Sequence, residues 1–247
     1  MKRFLPRPSR LALGLLLAAG LLAMPRPAAA LETAPWDAVL RAHANRGGVD
    51  YAALKADEEA MAQLDRFLAS VAVMPASEGL ASWINAYNAT VVKAVVERYP
   101  LASVRDVPGF FDRVTHRMAG QERTLDAVEN AVIRPRFHDA RVHFALNCGA
   151  RSCPALAPRA LRAGTLDRTL DGLVRRALRS PLHLRVVDGA AQMSRLFEWF
   201  ASDFTANGDT VLAWARRFDA RGVLEGIPDD ATPSYRRYDW RLNDRPR

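Results

Sequence analysis

Cys148 and Cys153 are the only thiols in the 247-residue chain, and one short polar loop holds both, Cys148-Gly149-Ala150-Arg151-Ser152-Cys153-Pro154. A rigid element ending in an accessible loop is a common setting for function. Three chemistries are open to this loop. With Cys148 as nucleophile and the Gly149 and Ala150 amides holding an oxyanion, it would serve a thiol-dependent hydrolase or acyl transferase. With Cys148 and Cys153 joined as a disulfide, it would be the clamped recognition loop of a non-catalytic binding or scaffold domain, the small ring contributing about 2 kcal/mol. His143 with the two sulfurs makes three soft metal ligands. That spacing matches no zinc knuckle and no fourth ligand is evident, so neither metal nor cofactor is assigned. Redox thiols usually sit as C-x-x-C, whereas this pair is C-x4-C.

The nucleophile reading needs a base. Arg141 to Asn147 alternates as a strand, with Val142, Phe144 and Leu146 on one face and Arg141, His143 and Asn147 on the other. His143 on a straight strand would lie about 16 Å from Cys148, out of reach. The loop would have to fold back, or His116 or Glu129 would have to approach from elsewhere. His43, His138 and His183 stand in polar contexts and are expected at the surface.

Four more residues stand out because their type disagrees with their position. Glu129 points from the middle of an apolar helical face made by Leu125, Val128 and Val132. Buried carboxylates are rare unless paired, so either an Arg or His neutralises Glu129 or it transfers protons. Asp203 is embedded in the same way among Leu196, Trp199, Phe200 and Phe204. Asn85 and Asn88 lie at the edge of, and inside, the stripe Leu80, Trp83, Ile84, Tyr87, Val91, Val95. Buried amides need specific partners: either they pin a loop or strand, or they bind substrate beside Asp203.

The elements that must position these groups follow from periodicity and turn chemistry. Helices are expected over Trp36–Ala44, Tyr51–Leu54 and Glu58–Val71, with a break at Gly47-Gly48, as an accessory region spanning 31–76. A helix from Ser77 to Tyr99 is capped by Ser77 and closed by Pro100. Val104–Val107 is a short strand, and Val114–Met118 pairs with Arg123–Leu125 around Ala119-Gly120-Gln121. Thr124 caps a helix ending at Arg134-Pro135. Thr165 caps another to Arg179, whose closing arginines suit the helix dipole and form a solvated face. Leu182–Val187 and Ala191–Ser194 make a hairpin through Asp188-Gly189. Ser194 caps a helix through Phe204, Thr210–Phe218 is helical, and Tyr235–Trp240 is extended. Helices interspersed with hairpins, without strand–helix alternation, give an α+β class: one domain with helices packed around a small sheet.

Residues 1–30 read as a leader. Lys2, Arg3, Arg7 and Arg10 precede an uncharged run from Leu11 to Met24, and Ala28-Ala29-Ala30 supplies a cleavage site after Ala30. The expected address is periplasmic or secreted, with no transmembrane segment in the mature chain. The leader holds five basic residues and no acids, so its removal lowers the net charge from +8 to +3. Basicity is then no argument for nucleic acid, and no basic patch is interleaved with aromatics. The expected partner is a small molecule or peptide.

Several motifs in order resemble the family known as domain of unknown function 547. They are Trp83-Ile84-Asn85-Ala86-Tyr87-Asn88, Leu125-Asp126-Ala127-Val128-Glu129, Phe144 to Cys148 followed by Ser152-Cys153-Pro154, Ser194 to Phe204, and Tyr238 to Asn243. The resemblance spans roughly 77–243, the expected core domain, and implies no established activity. It does imply that Asn85, Asn88, Glu129, Cys148 and Asp203 are family motif positions. Many similar sequences carry His after the motif Glu, where this chain has Asn130.

Overall fold

A computed structural model describes residues 31–45 and 48–245 of the chain. The expected leader and its cleavage site lie outside them. Three helices open the described chain: α1 (Ala34–His43), α2 (Tyr51–Ala56) and α3 (Glu58–Val73), with the short strands β1 (Ala44–Asn45) and β2 (Gly48–Val49) between the first two. Asp50 and Asp57 cap α2 and α3 by accepting from the Ala53 and Ala60 amides. Trp36, Tyr51, Leu64 and Phe67 from these helices are buried in the same cluster as Trp83, Ile84, Val91 and Val95 of α4 (Leu80–Arg98). Helix α4 is therefore buried nearly all round, wider than the single stripe its sequence displays. Gly79, not Ser77, stands at its N-cap.

The sheets are small. Strands β3 (Thr115–Met118) and β4 (Gln121–Thr124) pair as a hairpin. The chain then enters α5 (Leu125–Ala127), a π-helical turn (Val128–Ile133) and α6 (Arg134–Phe137). Helix α7 (Leu166–Leu178) precedes the hairpin of β5 (Leu184–Val187) and β6 (Ala190–Met193). Helices α8 (Leu196–Trp199), α9 (Ala201–Phe204) and α10 (Val211–Arg216) follow, and β7 (Ser234–Tyr235) joins β6 in parallel. With about 48% helix and 13% strand, in sheets of two or three strands, the domain is α+β. Among the described residues no helix is long and apolar enough to cross a membrane.

Five local expectations are corrected. Val104–Asp106 is a 3₁₀ turn rather than a strand, because Ser103 and Asp106 close a capping box around it. The helix capped by Thr124 does not stop at Arg134-Pro135. Its π turn, in which the Arg134 amide reaches back to Glu129 O, relieves the close i−4 contact that makes Pro135 a helix breaker. Residues Ala140–Phe144 form a 3₁₀ turn, not a strand, started by the Asp139 carboxylate accepting from the Arg141 amide. Thr165 precedes α7, but its hydroxyl donates to Arg162 O and caps nothing. The helix expected from Ser194 to Phe204 is broken at Phe200.

The 3₁₀ turn matters most. With three residues per turn, consecutive side chains point in three directions. Val142 therefore joins the cluster around α4, Phe144 joins a second cluster with Phe197, Phe204 and Trp214, and His143 enters the space between.

Candidate functional site

The loop after that turn is pinned from two sides. Asn147 donates to Pro154 O at 2.8 Å and accepts from the Gly149 amide at 2.9 Å. From the other side the C-terminal segment runs along it, the Asn243 amide donating to Gly149 O at 2.8 Å and the Arg151 amide to Arg241 O at 2.8 Å. Gly149 has φ +78°, and a Cβ there would sit 3.0 Å from Val104 Cγ1, so a side chain would be both strained and crowded. Within this frame Cys148 and Cys153 are bonded to each other, and the described chain has no free cysteine.

The pinning places Cys148 on the wall of a cavity of about 270 Å³. Phe111, Trp199, Phe200, Tyr238 and Trp240 give the cavity its aromatic walls, and Glu129 and His143 lie within it. The rings of Trp199, Tyr238 and Trp240 form one cluster, with centroids 4.8–5.9 Å apart. Trp199 is 43% exposed, a large apolar ring left at the surface. Tyr238 Oη lies 3.3 Å from Cys148 Sγ; a bonded sulfur has no proton, so the phenol donates.

His143 is 3% exposed and stacks on Phe200 with ring centroids 3.8 Å apart. Its Nε2 is 2.8 Å from Asp203 Oδ2. Arg134 grips the same carboxylate with two bonds, Nε to Oδ2 at 2.7 Å and Nη2 to Oδ1 at 2.8 Å. That guanidinium, and then His143, hold the Asp203 carboxyl well below the usual carboxylate range. An ionised Asp203 only accepts, so Nε2 carries the imidazole proton. Burial keeps His143 neutral by lowering its pKa, which leaves Nδ1 as a bare acceptor. This Nδ1 has no hydrogen-bond partner.

Glu129 faces it. Oε1 lies 3.7 Å from His143 Nδ1, and the Tyr87 phenol donates weakly to Oε2 at 3.4 Å. The side chain is 16% exposed, through the cavity. Burial pushes its pKa up to about 7, against the pull of Arg134, whose own ion pair is with Asp203. The alternatives for Glu129 thus resolve in part. Arg134 is engaged elsewhere, His143 is neutral, and neither neutralises Glu129 fully.

The residues singled out in sequence fall into two groups. Cys148, Cys153, Glu129 and His143 line the cavity, and Asp203 stands behind His143. His143 and Cys148 both line this cavity, with Ala140–Phe144 wound as a 3₁₀ turn in place of the expected strand. Asn85 and Asn88 are not lining residues. Asn85 makes two bonds to the Leu161 backbone, and Asn88 spans Ala145 O and the Asn147 amide, all at 2.8–2.9 Å. The Gly149 amide proposed for an oxyanion is taken by Asn147. His43 and His183 are buried rather than at the surface, His43 against Asp57 and His183 with its pKa lowered by burial to about 4. A larger cavity of about 620 Å³ on the other side of the loop also touches Cys153; of its two acidic residues, Asp239 is paired with Arg241 and Asp244 accepts from the Tyr99 hydroxyl at 2.8 Å.

Sequence reasoning missed Arg134, Tyr87, Tyr238 and Trp240 as site residues, and Asn147 and Asn243 as the frame. The aromatic residues, Asn147 and Asn243 sit inside the motifs quoted above, which is the only signal that pointed to them. Among the described residues no group of three or more His, Cys, Asp and Glu is arranged to hold a metal ion. No curated protein and no solved structure matches the chain. Residues 71–176, which carry Asn85, Asn88, Glu129, His143 and both cysteines, match the family described as Protein of unknown function, DUF547, and so support the kinship that the motifs suggested.

Proposed function

We propose that the chain is an exported binding domain whose aromatic cavity takes a small molecule or a peptide side chain beside a disulfide-clamped loop. The observation that carries this reading is the bonded Cys148 on the wall of a cavity that buries Glu129 among aromatic rings. Concave, mostly apolar pockets with few convergent polar groups are the usual form of a small-ligand site. The charged and apolar segments of residues 1–30, with Ala28-Ala29-Ala30, support export to the periplasm or the medium. An oxidising address suits a bonded pair.

One observation favours a second reading, a thiol-dependent hydrolase or acyl transferase. Cys148, His143 and Glu129 line the same cavity, so opening the bond would set a thiol among two proton acceptors. One experiment separates the two. Alkylation of the exported protein without reductant, followed by mass spectrometry, is expected to leave both cysteines unlabelled. A Cys148 that is free and labels faster than an ordinary thiol would overturn the binding reading and favour the thiol enzyme, as would ester or thioester turnover that appears only after reduction.

A further inference from the structure

The polar end of the cavity has more acceptors than donors. His143 Nδ1 is 3% exposed as a residue, unpartnered, and 3.7 Å from Glu129 Oε1, which is itself an acceptor whenever Glu129 is ionised. Two acceptors at that separation can share one donor that stands about 2.8 Å from each. Nδ1 itself has almost no accessible surface, so such a donor reaches it past Glu129, the more exposed of the two. The other groups facing Glu129 do not supply it. Tyr87 on α4 reaches only Oε2, at 3.4 Å. Tyr238 points its phenol at Cys148 Sγ. Arg134 is bidentate on Asp203, and its remaining Nη1 donates to Asn130 Oδ1 at 2.6 Å. Asp126 and Asp203 are acids and only add negative charge.

The walls suit a cation as well. Arg105 lies over the Trp240 ring at 5.3 Å and Arg134 over Phe200 at 5.0 Å, so two of the six aromatic residues lining the cavity already hold cations. A buried carboxylate, an orphaned imidazole nitrogen and electron-rich rings are complementary to one chemistry, a protonated amine on an apolar body.

We infer that the ligand of this cavity carries an ammonium group with at least one N–H, donated to Glu129 Oε1 and His143 Nδ1, and an aromatic or aliphatic body against Trp199, Tyr238 and Trp240. This rests on the binding reading above and names its ligand class. A proton and the ammonium compete for the same carboxylate. The raised pKa of Glu129 therefore sets the pH dependence: below about 7 binding must release the Glu129 proton, and above it none is released.

The test uses four probes with one body: phenethylammonium, its trimethylammonium analogue, phenethyl alcohol and phenylacetate, titrated by calorimetry against the purified chain. Phenethylammonium is expected to bind at least tenfold more tightly than the alcohol and more tightly than phenylacetate. The quaternary analogue, which has no N–H, should fall between. The affinity of phenethylammonium should rise close to tenfold per pH unit up to about pH 7 and then level off. Glu129→Gln should flatten that profile and weaken phenethylammonium tenfold or more, a larger loss than for the alcohol, and its cooperative urea unfolding shows that the variant is folded. If the alcohol or phenylacetate binds as tightly as the amine, the ammonium inference falls and the binding reading stands. If none of the four binds, the binding reading falls with it.

Discussion

Two polar regions lie against the same loop and are built on opposite principles. One is an amide chain: Asn88 holds the Asn147 amide at 2.8 Å, Asn243 donates to Asn147 at 3.2 Å, and the Tyr51 hydroxyl donates to Asn243 at 2.9 Å. Every side chain in it is engaged with a named partner, and none of these residues lines the aromatic cavity. The other is the acid–imidazole edge, where Asp203 is saturated by Arg134 and His143 while Glu129 and His143 Nδ1 face each other without a donor. Saturated buried polar groups fix a structure, and unsaturated ones are costly unless something else completes them. The comparison separates the frame of the site from its working surface, which residue type alone placed together.

The largest effect tests the frame. Asn147→Ala removes the acceptor of the Gly149 amide and the donor to Pro154 O, and strands the Asn243 amide. Several buried groups left unpaired should cost about 4 kcal/mol, measured by urea unfolding. A loss below about 1 kcal/mol would break the distinction between the two regions.

The next effect has the opposite sign. The pKa of Glu129 is raised from 4.5 to about 7 in the folded chain, so the folded state holds a proton that the unfolded state has released. The stability this contributes is complete below about pH 4 and declines as pH rises to about 7, because the folded state binds more protons through that window. At pH 8 the wild type carries a penalty of about 3 kcal/mol that Glu129→Gln lacks. The variant should therefore be more stable at pH 8 and nearly equal at pH 4, by thermal or urea unfolding. Destabilisation at pH 8 would mean that Glu129 has a stronger cationic partner in the fold than Arg134 or His143 provides.

How much of this was legible in sequence depended on distance along the chain. The hairpin through Asp188-Gly189 was readable because positive φ at both turn residues is a local demand that Asp-Gly announces. So were α2, α3 and the Thr124 cap, where each hydrogen bond closes within a few residues. The first hairpin was expected around Ala119-Gly120-Gln121 and instead turns at Ala119-Gly120 alone, with Gln121 opening its second strand and an alanine that announces no positive φ. The segment Arg141–Asn147 was misread because burial on all sides came from two hydrophobic clusters, and apolar alternation cannot tell a strand from a 3₁₀ turn between cores. Glu129 and Asp203 were visible as misplaced charges, but their different fates were not. Arg134 pairs with Asp203 across 69 positions, and nothing local to Arg134, ahead of a proline that looked like a helix end, indicates that partner.

The smallest effect sharpens the same comparison within the acidic pair. Asp203 is the saturated carboxylate, 24% exposed as a side chain, and its pKa is held low chiefly by the bidentate Arg134. A depressed folded pKa contributes stability above the unfolded value, about pH 4, and that contribution is lost as pH falls toward the folded pKa. Asp203→Asn should accordingly cost about 2 kcal/mol at neutral pH, and the gap to wild type should narrow as pH falls below about 4. A double-mutant cycle with Arg134→Met should return most of that energy as coupling, because the two side chains meet directly at 2.7 and 2.8 Å. The pH profiles of the two single variants then diverge in a way no uniform acidic site would produce. Neutralising Glu129 stabilises the chain at high pH and does little at low pH, whereas neutralising Asp203 destabilises it at high pH and does little at low pH. Parallel profiles would mean that the two carboxylates share one environment, and the unpaired edge from which the ammonium ligand was inferred would not exist.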